Sequence, residues 1–224
     1  CSIIYELLLA QTLSSTMGNT ALRYNITIGL YIASMGVGAL VFNKLIKSSF
    51  GERLIRIEVV LAIIGGLAPI IVLLNDSFIN LLAQKLNLNF FGFFTQSLLS
   101  GMNHGLIIVV GFLSGLELPL LIELGKKIKT SIGTKVLAMD YVGSLIGVIA
   151  FPLVIFPNFT LFTIGFLIAF INASVAIYLT YFYKVNNKRL KFCCFSLASL
   201  YFLLLCFSEY INDFILQKIY FYNL

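Results

Sequence analysis

The sequence predicts an all-α polytopic membrane bundle: about seven transmembrane helices, with one or two more helices lying in the interface. Three observations carry that prediction. Sixty per cent of the 224 residues are hydrophobic and the mean hydropathy is +1.01, whereas a soluble domain is typically about 45–50 per cent apolar. The run Tyr141–Tyr183 contains no Asp, Glu, Lys or Arg. As a single helix it would be roughly 65 Å long, about twice the hydrocarbon thickness of a bilayer, so it must cross twice. Third, the basic residues are periodic. Lys44, Lys47, Arg53 and Arg56 form one group, Lys126, Lys127, Lys129 and Lys135 a second, and Lys184, Lys188, Arg189 and Lys191 a third. These are 12 of the 15 bases and fall between alternate apolar segments. The positive-inside rule makes those loops cytoplasmic.

In order along the chain, the crossings read as Cys1–Ser15, Tyr24–Ile46, Ile57–Leu74, Ser97–Leu124, Lys135–Phe156, Thr160–Tyr183 and Phe192–Tyr210. The apolar runs lack the strict alternation of a barrel strand, which selects helices. The first crossing is cut short: the chain opens on Cys1, with no initiator Met and already inside an apolar run, and reads as a piece of something longer. Pro157-Asn158 is the natural turn between the fifth and sixth. Phe78–Asn89 sets Phe78, Leu81, Leu82 and Leu86 on one helical face, and Ile211–Tyr222 does the same with Ile211, Phe214, Ile215, Ile219 and Tyr222. Both read as interfacial helices. The expected organisation is a transmembrane domain over 1–210 and an amphipathic linker over 211–224 leading toward a further domain.

The net charge of +6 is topogenic, because the bases lie between spans; nucleic-acid binding is excluded on that ground. Cys1, Cys193, Cys194 and Cys206 show neither metal-type spacing nor a disulfide framework. Cys193-Cys194 follows Lys191 closely enough for acylation at an interface, but small core-filling side chains are the simpler reading. His104 alone makes no metal site and suits hydrogen bonding at the membrane edge. No metal centre is expected.

The candidate site rests on acids carried into apolar spans. Glu6, Glu117 and Asp140 are embedded in such runs, while Glu58 and Glu123 sit nearer basic loops, within reach of water. A carboxylate at the centre of a membrane helix costs about 2.5–3.5 kcal/mol on insertion scales, so it faces the bundle interior, pairs or is protonated. No Lys or Arg lies deep within a span. The acids are then neutral and bonded to helix backbone, or matched by a cation from outside, a proton or a cationic ligand, or shallower than the span implies, as for Asp140, only five residues from Lys135. Pro119 removes the usual donor to the Gly115 carbonyl and so predicts a kink with an acceptor-rich spot beside Glu117. Gly101 with Gly105, Gly111 with Gly115, and Gly143 with Gly147 are spaced for close helix packing.

The same segments resemble a known family. Cys1-Ser2-Ile3-Ile4-Tyr5-Glu6-Leu7-Leu8-Leu9 is similar to the first-helix signature of membrane-bound spermidine synthase-like proteins, polyamine aminopropyltransferases with an N-terminal membrane domain. Ile28-Gly29-Leu30 through Met35-Gly36-Val37-Gly38, Gly115-Leu116-Glu117-Leu118-Pro119-Leu120, and Asp140 through Gly147 with Phe151-Pro152 agree in order. The resemblance implies a following soluble domain of methyltransferase-like fold that uses decarboxylated S-adenosylmethionine as co-substrate. This chain has no Gly-rich loop after a strand and no soluble α/β segment, so no catalytic residue and no cofactor is assigned within it. Seven crossings would also put residue 224 opposite the basic loops, whereas that co-substrate is cytosolic.

The expected function is therefore the non-catalytic membrane part of a spermidine synthase-like protein, whether or not its parent is an enzyme. It would anchor that protein in a prokaryotic plasma membrane and bind a polyamine or similar cation through Glu6, Glu117 and Asp140. Expected partners are the lipid bilayer, a polyamine, a C-terminal soluble domain of the same polypeptide and a second copy in a homodimer. The alternatives are a pure anchor and dimerisation module, in which Gly111 or Gly143 changed to Leu disrupts assembly, and a stand-alone polyamine/cation or proton-coupled transporter.

Overall fold

The computed structural model describes residues 2–17, 20–45, 50–85, 92–128 and 132–221. They form helices α1 (Ser2–Met17), α2 (Thr20–Leu45), α3 (Phe50–Lys85), α4 (Gly92–Ile128), α5 (Ile132–Ala150), α6 (Phe156–Asn158), α7 (Leu161–Phe182), α8 (Lys188–Cys206) and α9 (Ser208–Phe221). A π-helical turn, Phe151–Ile155, joins α5 to α6. No strand occurs among the described residues. Six stretches are long and apolar enough to cross a membrane: Ala21–Phe42, Phe50–Ile79, Gly101–Lys126, Ile132–Asn158, Leu161–Phe182 and Lys188–Cys206.

Although the shortest of the long apolar helices, α1 sits at the middle. Tyr5 to Ala10 are buried consecutively, and the helix touches α2, α3, α4, α5 and α7. A helix apolar on every side is stable only when enclosed on every side. The most extensive contact in the bundle is between α2 and α4. On α2 the buried stripe is Thr27, Tyr31, Ser34, Gly38 and Phe42, a 3–4 spacing that gives one continuous face. Opposite Gly38 lies the backbone of Phe112 and Gly115, and Gly111 and Gly115 of α4 lie directly on the backbone of Tyr31 and Met35. Without side chains at these crossings the two helix backbones meet.

Two cores share α3. One gathers Leu8, Leu9, Leu13, Leu54, Leu61, Val72, Ile107, Val110 and Leu120 around α1. The other joins Ile55, Val59 and Ala62 to Phe162, Phe166, Ala169, Leu197 and Tyr201 of α7 and α8. The adjacent glycines at positions 65 and 66 make this double duty feasible. The Tyr5 ring packs on Gly65, while Ala169 and Tyr201 pack on Gly66. The Tyr201 hydroxyl donates to the Ala62 carbonyl at 2.7 Å.

Two departures from the sequence reading have physical causes. Phe78–Lys85 is not a separate interfacial helix but the continuation of the 36-residue α3; residues 86–89 of that predicted element lie outside the described residues. No Gly or Pro interrupts Leu74–Lys85, and Asn75 Nδ2 donates to Asn103 Oδ1 at 3.1 Å, fastening α3 to α4 at this end. The turn expected at Pro157-Asn158 falls at Phe159-Thr160, which are extended. Asn158 still bonds back to the Val154 carbonyl at 2.7 Å, and Thr160 caps α7 through the Thr163 N–H at 3.3 Å. Pro152, which lacks an N–H, lies where the α-helical pattern of α5 gives way to the π turn. Ile211–Tyr222 falls largely within α9, a separate helix whose Ile211 and Ile215 pack against the second core.

The ends between α7 and α8 are closed by backbone bonds. Lys184 takes a left-handed conformation, φ 46°. The Lys184 N–H then reaches the Tyr181 carbonyl and the Val185 N–H the Thr180 carbonyl, both at 3.1 Å. This is the pairing of a Schellman cap. Asn187 caps α8 by accepting from the Arg189 and Leu190 N–H groups at 3.1 and 3.3 Å.

The packing yields a contrast among glycines. A methyl group at Gly115 would strike the α2 backbone, whereas at Gly143 it meets nothing within 4 Å. We expect Gly115→Ala to remove most of the monodisperse, detergent-extracted protein. Gly143→Ala should leave yield intact and change stability by no more than about 1 kcal/mol. Size-exclusion profiles and thermal unfolding of the two variants check this; equal behaviour would contradict the crossing.

Candidate functional site

Acidic side chains from three helices turn inward. Glu6 lies on α1 at 5% exposure and Glu58 on α3 at 4%. Glu117 of α4 is half-buried and lies close enough to Glu58 for the two to interact electrostatically. The stripe that aims Glu58 inward is Leu54, Glu58, Leu61, Gly65, Ala68 and Val72, all buried. On α4 the stripe Asn103, Ile107, Val110, Ser114, Glu117 and Leu124 performs the same task.

Tyrosines surround the pair. The Tyr31 hydroxyl of α2 lies 2.9 Å from the Ser2 carbonyl oxygen and 2.8 Å from the Ser114 hydroxyl, which ties α1, α2 and α4 together beside the acids. Tyr5 of α1 is fully enclosed, and its hydroxyl has no hydrogen-bond partner among the described residues. It interacts electrostatically with Tyr201, Glu58, Glu117 and Tyr31. Glu6 acts in turn on Tyr24 and Tyr31. The ion pairs Arg56–Glu52, 3.9 Å, and Lys126–Glu123, 2.7 Å, are at helix ends and involve none of the buried acids.

The predicted site residues thus divide. Glu6 and Glu117 are in the bundle interior. Asp140 is on the exposed side of α5, beside exposed Met139, Tyr141 and Val142, although close enough to Glu117 to act on it electrostatically. Pro119 stays inside a continuous α4 and lines a groove of about 400 Å³ with Met35, Gly36, Ala39, Gly115 and Lys126. Gly111 and Gly115 lie against α2, and Gly147 lies against Ile3 of α1; Gly101, Gly105 and Gly143 meet no described atom within 4 Å. No group of three or more metal-ligating side chains occurs among the described residues.

Glu58 and Tyr5 are the residues that sequence reasoning missed. By sequence Glu58 sits near a basic loop, within reach of water, and Arg56 belongs to that basic group. Two residues are about 200° apart on a helix, so Arg56 is exposed at 62% while Glu58 turns inward. The apolar 3–4 row through Leu54, Leu61 and Val72 is the signal that would have found it.

The fold and site define a class: a helical bundle with spans long enough to cross a membrane and a tyrosine-lined carboxyl pair at its centre. Sequence comparison adds a particular kinship. The chain is similar to a protein named polyamine aminopropyltransferase from Leptospira interrogans, with 29% identity over 192 residues, covering 85% of this chain and 35% of that one. A protein of the same name from Oceanobacillus iheyensis is 27% identical over 192 residues, 84% of this chain and 34% of its own length. A polyamine aminopropyltransferase 2 from Ralstonia nicotianae is 25% identical over 189 residues, 83% and 34% respectively. These matches relate the chain to that family. It spans about a third of the length of the curated relatives it matches. No protein-family model matches the chain, and no solved structure matches it.

The carboxyl pair makes an energetic prediction. Glu58→Met should cost about 1–3 kcal/mol, because it leaves a carboxyl of Glu117 without its partner. Glu58→Met combined with Glu117→Met should recover part of that loss, since removing both members of a buried polar pair costs less than orphaning one. A double-mutant cycle by denaturation in detergent measures the coupling; strictly additive effects would contradict the contact between the two acids.

Proposed function

We propose that this chain is the multi-pass membrane part, itself non-catalytic, of a polyamine aminopropyltransferase-related protein. It holds that protein in a prokaryotic plasma membrane and binds a cationic amine among Glu6, Glu58 and Glu117. The observation that carries the reading is the convergence of these acids from α1, α3 and α4 on the interior of the bundle. Acidic groups removed from water retain charge only beside a compensating charge. An aliphatic ammonium group supplies that charge with three donors for carboxylate and hydroxyl acceptors.

The apolar exterior supports the anchoring half of the reading. Leu40, Met139, Leu145, Leu153, Phe192 and Tyr210 are among the large side chains left uncovered by the bundle, and hydrocarbon covers such a surface at no cost in hydration. The name that the relatives share supports the choice of a polyamine over other cations. Aminopropyl transfer, with decarboxylated S-adenosylmethionine as co-substrate, belongs in this proposal to a soluble domain of the parent protein.

Equilibrium binding of radiolabelled spermidine to the full-length protein in lipid nanodiscs tests the site. Glu6→Gln and Glu117→Gln should each weaken binding by about tenfold or more, the loss expected for one charge-assisted hydrogen bond. Unchanged affinity in both variants would contradict the site while leaving the anchoring role in place.

A further inference from the structure

The groove beside Pro119 is on the outside of the bundle, apart from the acids, and its shape follows from how α2 and α4 cross. Gly111 lies on the backbone of Tyr31 and Gly115 on that of Met35. Both helices thus advance by four residues together and run parallel, so Leu45 and Ile128, where they end, lie toward the same side of the membrane. The groove between them holds about 400 Å³, within the roughly 300–1,000 Å³ of small-molecule sites. Small residues hollow its α2 wall. Gly36 and Ala39 are exposed there, and a methyl group on Gly36 would meet nothing within 4 Å.

Depth and polarity are matched to one half of a bilayer. Along α4 the lining runs from Gly115 to Lys126, about 16 Å at 1.5 Å per residue. The hydrocarbon core is about 30 Å thick, so the groove is as deep as one leaflet. Its wall is apolar through Phe42, Leu118, Pro119 and Ile122, and its charged side chains, Glu123 and Lys126, are at one end. Lys126 is also the last residue of the membrane-crossing stretch Gly101–Lys126, the level at which headgroups begin.

We propose that this groove holds one anionic phospholipid from the leaflet on the side of the basic loops. An acyl chain lies over Gly36 and Ala39, and the phosphate meets Lys126 Nζ. A chain seated in a concave slot touches protein on two sides, where a convex helix face offers one. The Lys126 ammonium group has three donors; one reaches Glu123 Oε1 at 2.7 Å, which leaves two for phosphate oxygens. Lys127 follows in α4, and Lys44 is the penultimate residue of α2. Against these three lysines stand Glu123 and the partial negative charge of two helix C-termini, so the end of the groove is net positive and selects an anionic headgroup.

Native mass spectrometry of the full-length protein in mild detergent tests this, with phosphatidylglycerol and phosphatidylcholine of the same acyl chains supplied in equal amounts. We expect one retained lipid, with phosphatidylglycerol preferred about fivefold, the factor for one lysine near an anionic headgroup. Lys126→Gln should abolish the preference. Gly36→Leu should fill the groove and remove the retained lipid, and Ala39→Leu, at a second exposed position, does the same if Gly36→Leu extracts poorly. Equal retention of the two lipids by the wild type would overturn the proposal. So would undiminished phosphatidylglycerol in a filled-groove variant, or a lipid-free dimer, which would give the groove to a second copy.

Discussion

A carboxyl group without water must find its partner inside the protein, and much of this bundle is arranged around that requirement. Glu58 and Glu117 meet across α3 and α4. Tyr31 joins α2 to α1 and α4 alongside them. Asn75 and Asn103 pair further along the same α3–α4 seam. Each polar group lies on a stripe that is otherwise apolar, so burial of the stripe carries the polar group in and the partner helix must receive it. The polar contacts fix which faces meet; the apolar ones supply the bulk of the contact area.

Small residues make this geometry reachable. Gly38, Gly111 and Gly115 let α2 and α4 approach backbone to backbone, which leaves the Tyr31 hydroxyl at bonding distance from Ser114, one position before Gly115. Gly65 and Gly66 let α3 take Tyr5 on one side and Tyr201 on the other. The result is a site whose walls are close-packed helices rather than loops.

Much of the fold was legible in the sequence because hydropathy and charge report position along a helix axis. The alternate basic groups and the uncharged run Tyr141–Tyr183 fix where the apolar segments begin and end. Rotation about the axis was harder to read. Glu58 looks water-facing when judged by its distance from Arg56 and inward-facing when judged by the row Leu54, Leu61, Val72. Asp140 was the converse. Helix α5 is apolar nearly all round, with Gly147 its buried residue among those of Ile132–Ala150, so nothing local distinguishes an inner from an outer face. Tyr5 gave no signal because an aromatic ring in an apolar run is ordinary packing; its unpaired hydroxyl is a property of the assembled bundle. The long form of α3 depended on Asn75 meeting Asn103, a contact between residues 28 apart.

The central claim is that Glu58 and Glu117 face each other inside the bundle, close enough for each carboxyl group to respond to the other. Infrared absorption of the protein in lipid, in the region of the carboxyl C=O stretches, tests it most directly. Glu58→Gln should shift the band that Glu117→Gln removes. A Glu117 band that Glu58→Gln leaves unmoved would contradict the contact.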